Sequence, residues 1–277
     1  MPLSKRGLEM DKARSLTVNE FRAKKERGDK ISMVTCYDFW SAQILDSTSI
    51  DSLLVGDSLA MVMHGFDSTV HADVELMALH IKAVRKGAPN KFLVGDMPFL
   101  ALRKGLAPAM EAVQILMQAG CNAIKLEGEV GQAELIRHIV ESGVPVMGHL
   151  GLTPQSVNAF GGHKVQGRGE IEEEKIIESA TLLADAGCFS VVLECIPATL
   201  AAKVTRAIEI PTIGIGAGSE TDGQVLVLQD MLGMNPDFKP KFLRHYAQGH
   251  SLVSQAVNKF HEETSLGCFP SNSESYS

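Results

Sequence analysis

"LMQAGCNAIKLEG" (residues 116–128) and "LADAGCFSVVLEC" (residues 183–195) align without a gap, placing Gly120 on Gly187, Cys121 on Cys188 and Glu127 on Glu194. Each stretch reads as a helix end, a glycine stop, a short apolar strand and a glutamate at the strand's last turn. Short units of this kind resemble one another for physical reasons, so the match alone does not establish duplication. Outward from this pair the same order recurs. The strand-like runs are "ISMVTCYD" (31–38), "DSLLVGDS" (51–58), "KFLVGDMP" (91–98), "NAIKLEG" (122–128), "VPVMGHLG" (144–151), "FSVVLECIP" (189–197), "PTIGIGAG" (211–218) and "QVLVLQD" (224–230). Between them lie segments with apolar residues at helical spacing, such as "DVELMALHIKAVRKGA" (73–88) and "EEEKIIESATLLADAG" (172–187). Continuous apolar runs joined by amphipathic helices predict a parallel sheet covered by helices. Eight runs in 277 residues suit a closed (β/α)8 TIM barrel, which takes ~250 residues. A doubly wound open sheet is the alternative.

A capping box, Thr17 to Glu20 in "LTVNEFRAKKERGDK", predicts a short N-terminal helix. The expected organisation is one barrel domain over residues 1–265, N-terminal helix included, and a polar, mobile tail over residues 266–277. The loop "GLTPQSVNAFGGHKVQGRG" (151–169) is too long and glycine-rich for a plain connector and predicts a lid or binding loop.

Composition narrows the function. Hydrophobic residues make up 45% and charged residues 21%, enough apolar material for a substantial core. The net charge of −7 comes without a Lys/Arg cluster, which argues against a nucleic-acid partner. The apolar runs are too short to span a bilayer, and "MPLSKRGLEMDKARSL" has no apolar core of signal-peptide type. Five cysteines form no CxxC pair and read as reduced, mostly buried thiols of a cytoplasmic protein.

The ends of the apolar runs carry polar groups: Asp38, Asp57 with Ser58, Asp96, Lys125 with Glu127, His149 and Glu194. In a parallel barrel all strands point one way, so these groups share the rim where such folds do chemistry. "LVGD" occurs twice, ending in Asp57 and in Asp96. A strand-end aspartate on its own is most often a turn or helix cap. Two after identical runs, with Glu127 on the next strand, instead form an acidic set that needs a cation. An all-oxygen set suits a hard divalent ion such as Mg2+. Lys125 and Glu127 alternate with Leu126 and therefore face the same side. A surface salt bridge between them is the bland reading; in a barrel mouth the ammonium would stabilise an oxyanion or a substrate carboxylate. Glu194 is flanked by Val191, Val192, Leu193 and Cys195, surroundings that suit a general base. "GIGAG" (214–218) lacks the third glycine of a dinucleotide loop, because Ser219 stands there. Together these residues suggest proton abstraction next to a carbonyl, with the enolate held by metal.

The strings "VTCYDFWSAQILD", "LLVGDSLAMVMHGFDSTV", "AIKLEG", "GHLGLTPQSVNAFGGHKVQGRG", "VVLECIP" and "GIGAGSETDGQVLVLQDMLGM" resemble the ketopantoate hydroxymethyltransferases, in that family's order, from about residue 17 to 245. The resemblance implies a TIM barrel of the phosphoenolpyruvate/pyruvate superfamily type. It implies transfer of a one-carbon unit from 5,10-methylenetetrahydrofolate to 3-methyl-2-oxobutanoate through a metal-stabilised enolate, giving 2-dehydropantoate for pantothenate synthesis. Asp57 and Asp96 then correspond to metal-site residues, with Glu127 completing that shell directly or through water. Asp57, Ser58, Asp96, Lys125 and His149 correspond to contacts in the substrate region, and Glu194 to the proton acceptor. A homo-oligomer is also implied, in this family often a decamer. The chain departs from the pattern at His64, Phe66 and His71–Ala72, where Gln, His and a Pro-Val type pair are usual. A 2-oxo-acid aldolase or lyase on a related barrel would share the acidic set without folate. A Schiff-base aldolase using Lys125, or a non-enzymatic relative, fits the intact acidic set less well.

Overall fold

The computed structural model describes residues 16–276, and the stretch read above for targeting signals lies largely outside it. Eight strands run parallel in sequence order and close on themselves. They are β1 (Ile31–Thr35), β2 (Ser52–Val55), β3 (Phe92–Asp96), β4 (Ala123–Glu127), β5 (Val146–Gly151), β6 (Ser190–Glu194), β7 (Thr212–Ile215) and β8 (Gly223–Leu226). The expected barrel is therefore the observed one, and the open-sheet alternative falls. The seam requires a glycine: a Cβ at Gly223 would stand 2.4 Å from the Ile31 carbonyl oxygen. The last run, "QVLVLQD", is a strand only as far as Leu226 and then turns into a short helix.

Helices α1 (Val18–Arg27), α2 (Phe39–Asp46), α3 (Leu59–Val62), α4 (Val74–Gly87), α5 (Leu106–Ala119), α6 (Ala133–Glu141), α7 (Val157–Phe160), α8 (Glu170–Asp185) and α9 (Ala198–Ala207) complete this part of the chain. The Thr17–Glu20 capping box is present and starts α1. Its one buried residue, Phe21, packs against Phe92 and Phe189 with ring centroids 5.2 and 5.3 Å away. Phe92 and Phe189 sit at or just before the start of their strands, so α1 plugs the barrel's N-terminal end. That leaves the C-terminal rim as the mouth.

Period-two alternation then fixes what the mouth contains. The buried core includes Phe92 and Val94 on β3, Ala123 on β4, Met147 on β5 and Val192 on β6. Two residues further along the same inward rows stand Asp96, Lys125, His149 and Glu194, and Glu127 follows Lys125. Apolar layers thus fill the barrel below, and polar tips crown it.

Contacts divide the chain into two compact units between Val225 and Leu226. The second unit holds α10 (Leu228–Met231), α11 (Gly249–Ser265) and a 3-10 turn at Asn272–Glu274. Within it, the Tyr246 N–H donates to the Met231 carbonyl at 2.7 Å.

Candidate active site at the C-terminal rim

Strand register brings the acidic and basic tips side by side. Asp96 lies opposite Lys125, and Glu127 opposite His149. Lys125 Nζ is 2.9 Å from Asp96 Oδ1, both side chains being almost wholly buried. The Asp57 backbone N–H donates to Asp96 Oδ2 at 3.0 Å, tying the two "LVGD" ends to each other. His149 Nδ1 is 3.6 Å from Glu127 Oε1, and His149 Nε2 is 3.1 Å from Glu194 Oε2. Six side chains from the ends of β2 to β6 therefore form one connected cluster. Asp38, by contrast, is a cap: it accepts from the Ser41 N–H at 2.9 Å and the Ser41 hydroxyl at 2.8 Å, starting α2.

The charges do not balance. Burial first, then Asp96 and Glu127, push the Asp57 carboxyl well above the usual carboxylate range. Burial raises Asp96 as well, against the pull of the Lys125 ammonium. Lys125 is held above the ordinary ammonium value although burial alone would lower it, because Asp96, Glu127 and Asp57 all face it. His149 is pushed up to about 9: burial and Lys125 lower it, and the neighbouring Glu127 and Glu194 carboxylates outweigh them. With that ring protonated, the 3.3 Å approach of Lys125 Nζ to His149 Nδ1 is a like-charge contact held in place by the surrounding carboxylates. Four carboxylates thus face two cations.

Gln155 carries no motif, charge or periodicity that marks it in the sequence. It sits in the 3-10 turn Pro154–Ser156 within the long loop after β5. Its side-chain amide donates to Asp57 Oδ2 at 2.8 Å and to the Met97 carbonyl at 3.0 Å. Its backbone N–H donates to Glu127 Oε2 at 3.0 Å, while Glu127 Oε1 is buried without a hydrogen bond. A cavity of about 120 Å³ lies against Glu127 and Gln155, bounded also by Met97, Phe99 and Arg103. Ser58 opens α3, and its hydroxyl is 2.7 Å from the Tyr37 hydroxyl.

Glu194 is the least enclosed of the set, its side chain 20% exposed. The backbone around it is tightly specified. Cys195 takes a left-handed φ of +48°, rare for a residue with a side chain. Its N–H is held by the Ile215 carbonyl and its own carbonyl by the Gln166 N–H. A Cβ at Gly151 would lie 2.2 Å from the Glu194 carbonyl oxygen, so only glycine lets the long loop pass there.

The donors suit a hard cation: Asp57, Asp96 and Glu127 offer only oxygen, their mutual repulsion raises Asp57, and Asp96 Oδ1 and Glu127 Oε1 are buried without a hydrogen bond, beside Lys125 and His149. Among the described residues no group of three or more His, Cys, Asp or Glu side chains is placed, as it stands, to hold a metal ion. Gln155 N–H groups occupy two of the carboxylates instead.

Residues 15–272 match the family model described as ketopantoate hydroxymethyltransferase. The chain is 57% identical to the 3-methyl-2-oxobutanoate hydroxymethyltransferase of Bdellovibrio bacteriovorus over 94% of this chain and 99% of that protein. It is 52% identical to the protein of the same name from Coxiella burnetii, over 92% and 97% respectively. Among solved structures it resembles 2,3-dimethylmalate lyase, of the PEP mutase/isocitrate lyase superfamily (TM-score 0.59, 14% identity, 94% of this chain and 91% of that one). It also resembles phosphonopyruvate hydrolase in complex with oxalate and Mg2+ (TM-score 0.60, 10% identity, 94% and 93%). At these identities the structural likeness is one of fold.

Proposed function

The chain belongs to the ketopantoate hydroxymethyltransferase family, and on that premise we propose that it transfers a hydroxymethyl unit to 3-methyl-2-oxobutanoate. The product is 2-dehydropantoate, for pantothenate synthesis, and 5,10-methylenetetrahydrofolate is the one-carbon donor. The observation that carries this reading is the connected cluster Asp57, Asp96, Lys125, Glu127, His149 and Glu194 at one rim.

Asp57 and Asp96, with Glu127 directly or through water, would hold Mg2+ or another divalent cation. Such an ion, when bound, polarises a keto oxygen and offsets enolate charge. The protein's own groups do the rest. Ser58 and the Lys125 ammonium bind and orient the oxo acid, and Lys125 faces the oxygen on which negative charge develops. Glu194 removes the C3 proton; its partial exposure leaves it open to the substrate. His149 orients the Glu194 carboxylate from 3.1 Å. The C3–H electron pair becomes the enolate, C3 bonds to the methylene carbon as that carbon's two C–N bonds to the folate break, water supplies the hydroxyl group, and tetrahydrofolate leaves with its nitrogens protonated. The loop 151–169, anchored through Gln155, screens the mouth from bulk water. A cytoplasmic location fits five free cysteines. No helix among the described residues is long and apolar enough to cross a membrane. A homo-oligomer is supported by Leu252, Val253, Val257 and Phe260, all exposed on α11.

The test is turnover of 3-methyl-2-oxobutanoate with methylenetetrahydrofolate. Product formation that stops with chelator and returns with Mg2+ is expected. Folate-independent C–C cleavage of a 2-oxo acid, with no 2-dehydropantoate formed, would replace this reading by the lyase one.

A further inference from the structure

His64 is one of the positions at which the chain departs from the pattern it resembles, and it meets a second histidine. His64, in the turn after α3, places its Nε2 2.9 Å from Nε2 of His80 on α4. The tautomer of His80 is fixed from its other side. Its Nδ1 lies 2.5 Å from the Tyr37 carbonyl oxygen, an acceptor only, so Nδ1 carries the proton and Nε2 is left as a lone pair. That lone pair points at the matching nitrogen of His64. A backbone carbonyl that fixes the proton on one imidazole nitrogen, leaving the other as an acceptor, is the arrangement that supports histidine as a metal ligand; here that acceptor is taken by His64 until a metal displaces the hydrogen bond. The nitrogen spacing agrees as well: two imidazoles each about 2.0–2.1 Å from one ion stand roughly 2.9–3.4 Å apart. The ring planes are almost perpendicular, at 89°. Close by, Phe66 lies 6.5 Å from the His64 ring and stacks at 4.6 Å on His71, walling one side with aromatic surface.

We propose that His64 and His80 form a two-imidazole site for a borderline divalent cation such as Zn2+, Ni2+ or Cu2+. Its donors set it apart from Asp57, Asp96 and Glu127, since nitrogen ligands favour these ions and carboxylates favour Mg2+. Among the described residues no third His, Cys, Asp or Glu completes a sphere. The remaining positions fall to water, and the ion is exchangeable rather than structural. Binding replaces the hydrogen bond between the two Nε2 atoms by the metal, and the neutral His64 ring shifts its proton to Nδ1, so no net proton is released. The ion then clamps the turn after α3 to α4, beside the Tyr37 that holds Ser58.

The test is a Cu2+ titration of full-length, chelator-stripped protein in excess Mg2+, which occupies the carboxylate set. One Cu2+ per chain is expected, with an electron paramagnetic resonance spectrum showing two nitrogen donors, and Zn2+ should displace it. His64→Gln should weaken binding at least about tenfold. That side chain is exposed and its loss leaves the barrel intact. His80→Gln should do the same, and His71→Gln should not. Copper bound through oxygen alone, no stoichiometric binding, or a nitrogen signature that survives His64→Gln would each overturn the proposal.

Discussion

Glu194 and Gln155 show how differently two residues of one site announce themselves. Glu194 ends an apolar run, aligns with Glu127 and could be placed on the rim from spacing alone. It stands 3.1 Å from His149 and is open to solvent on one side. Glu194→Gln keeps the shape and removes the proton acceptor. Hydrogen exchange at C3 of 3-methyl-2-oxobutanoate, followed by NMR in D2O, should slow by roughly 10²–10⁴-fold while substrate affinity is retained. Unchanged exchange would remove Glu194 as the base. Gln155 carried no such signal. Its meaning lies in hydrogen bonds to Asp57, 98 residues away, and to Glu127, 28 residues away. An uncharged residue in a loop has no periodicity or charge run to mark it, so only the folded chain reveals it. His64 was visible as an odd residue, but its pairing with His80 was not.

At the scale of elements, the strands were legible because buried parallel strands are continuous apolar runs, and the rim followed from their common direction. The N-terminal helix was legible through its capping box, but its task was not. Phe21 is its single buried side chain and closes the barrel floor against Phe92 and Phe189. Phe21→Ala should cost about 3–5 kcal/mol of unfolding free energy, measured with urea, while the rim chemistry persists below the new midpoint. A loss under about 1 kcal/mol would mean that the floor is sealed by something else. The long loop after β5 was singled out by length and glycine content, and its anchor is Gln155. Gln155→Leu should speed tryptic cleavage after Lys164 and Arg168 several-fold without changing the circular dichroism spectrum. An unchanged cleavage rate would show that the Gly151 and Cys195 backbone contacts hold the loop unaided.

For the whole molecule, eight strand tips and a plugged floor gather the polar groups described above at the mouth, and the charge there is uneven. Four carboxylates face Lys125 and His149, and burial keeps water from settling the difference. The second unit was the part least legible in the sequence, because α11 is one helix among many in a chain that already satisfied the barrel count. Its exposed Leu252, Val253, Val257 and Phe260 argue for burial against other copies. Val257→Asp should therefore lower the mass seen by light scattering, whereas a monomeric parent protein would void that expectation. The central claim is that Asp57 and Asp96 share a divalent ion that grips the keto acid, and calorimetry tests it most directly. Titrating 3-methyl-2-oxobutanoate into metal-stripped protein should give no binding, Mg2+ should restore it, and Asp57→Ala or Asp96→Ala should abolish the restoration. Equal affinity in stripped and Mg2+-loaded protein would contradict the account.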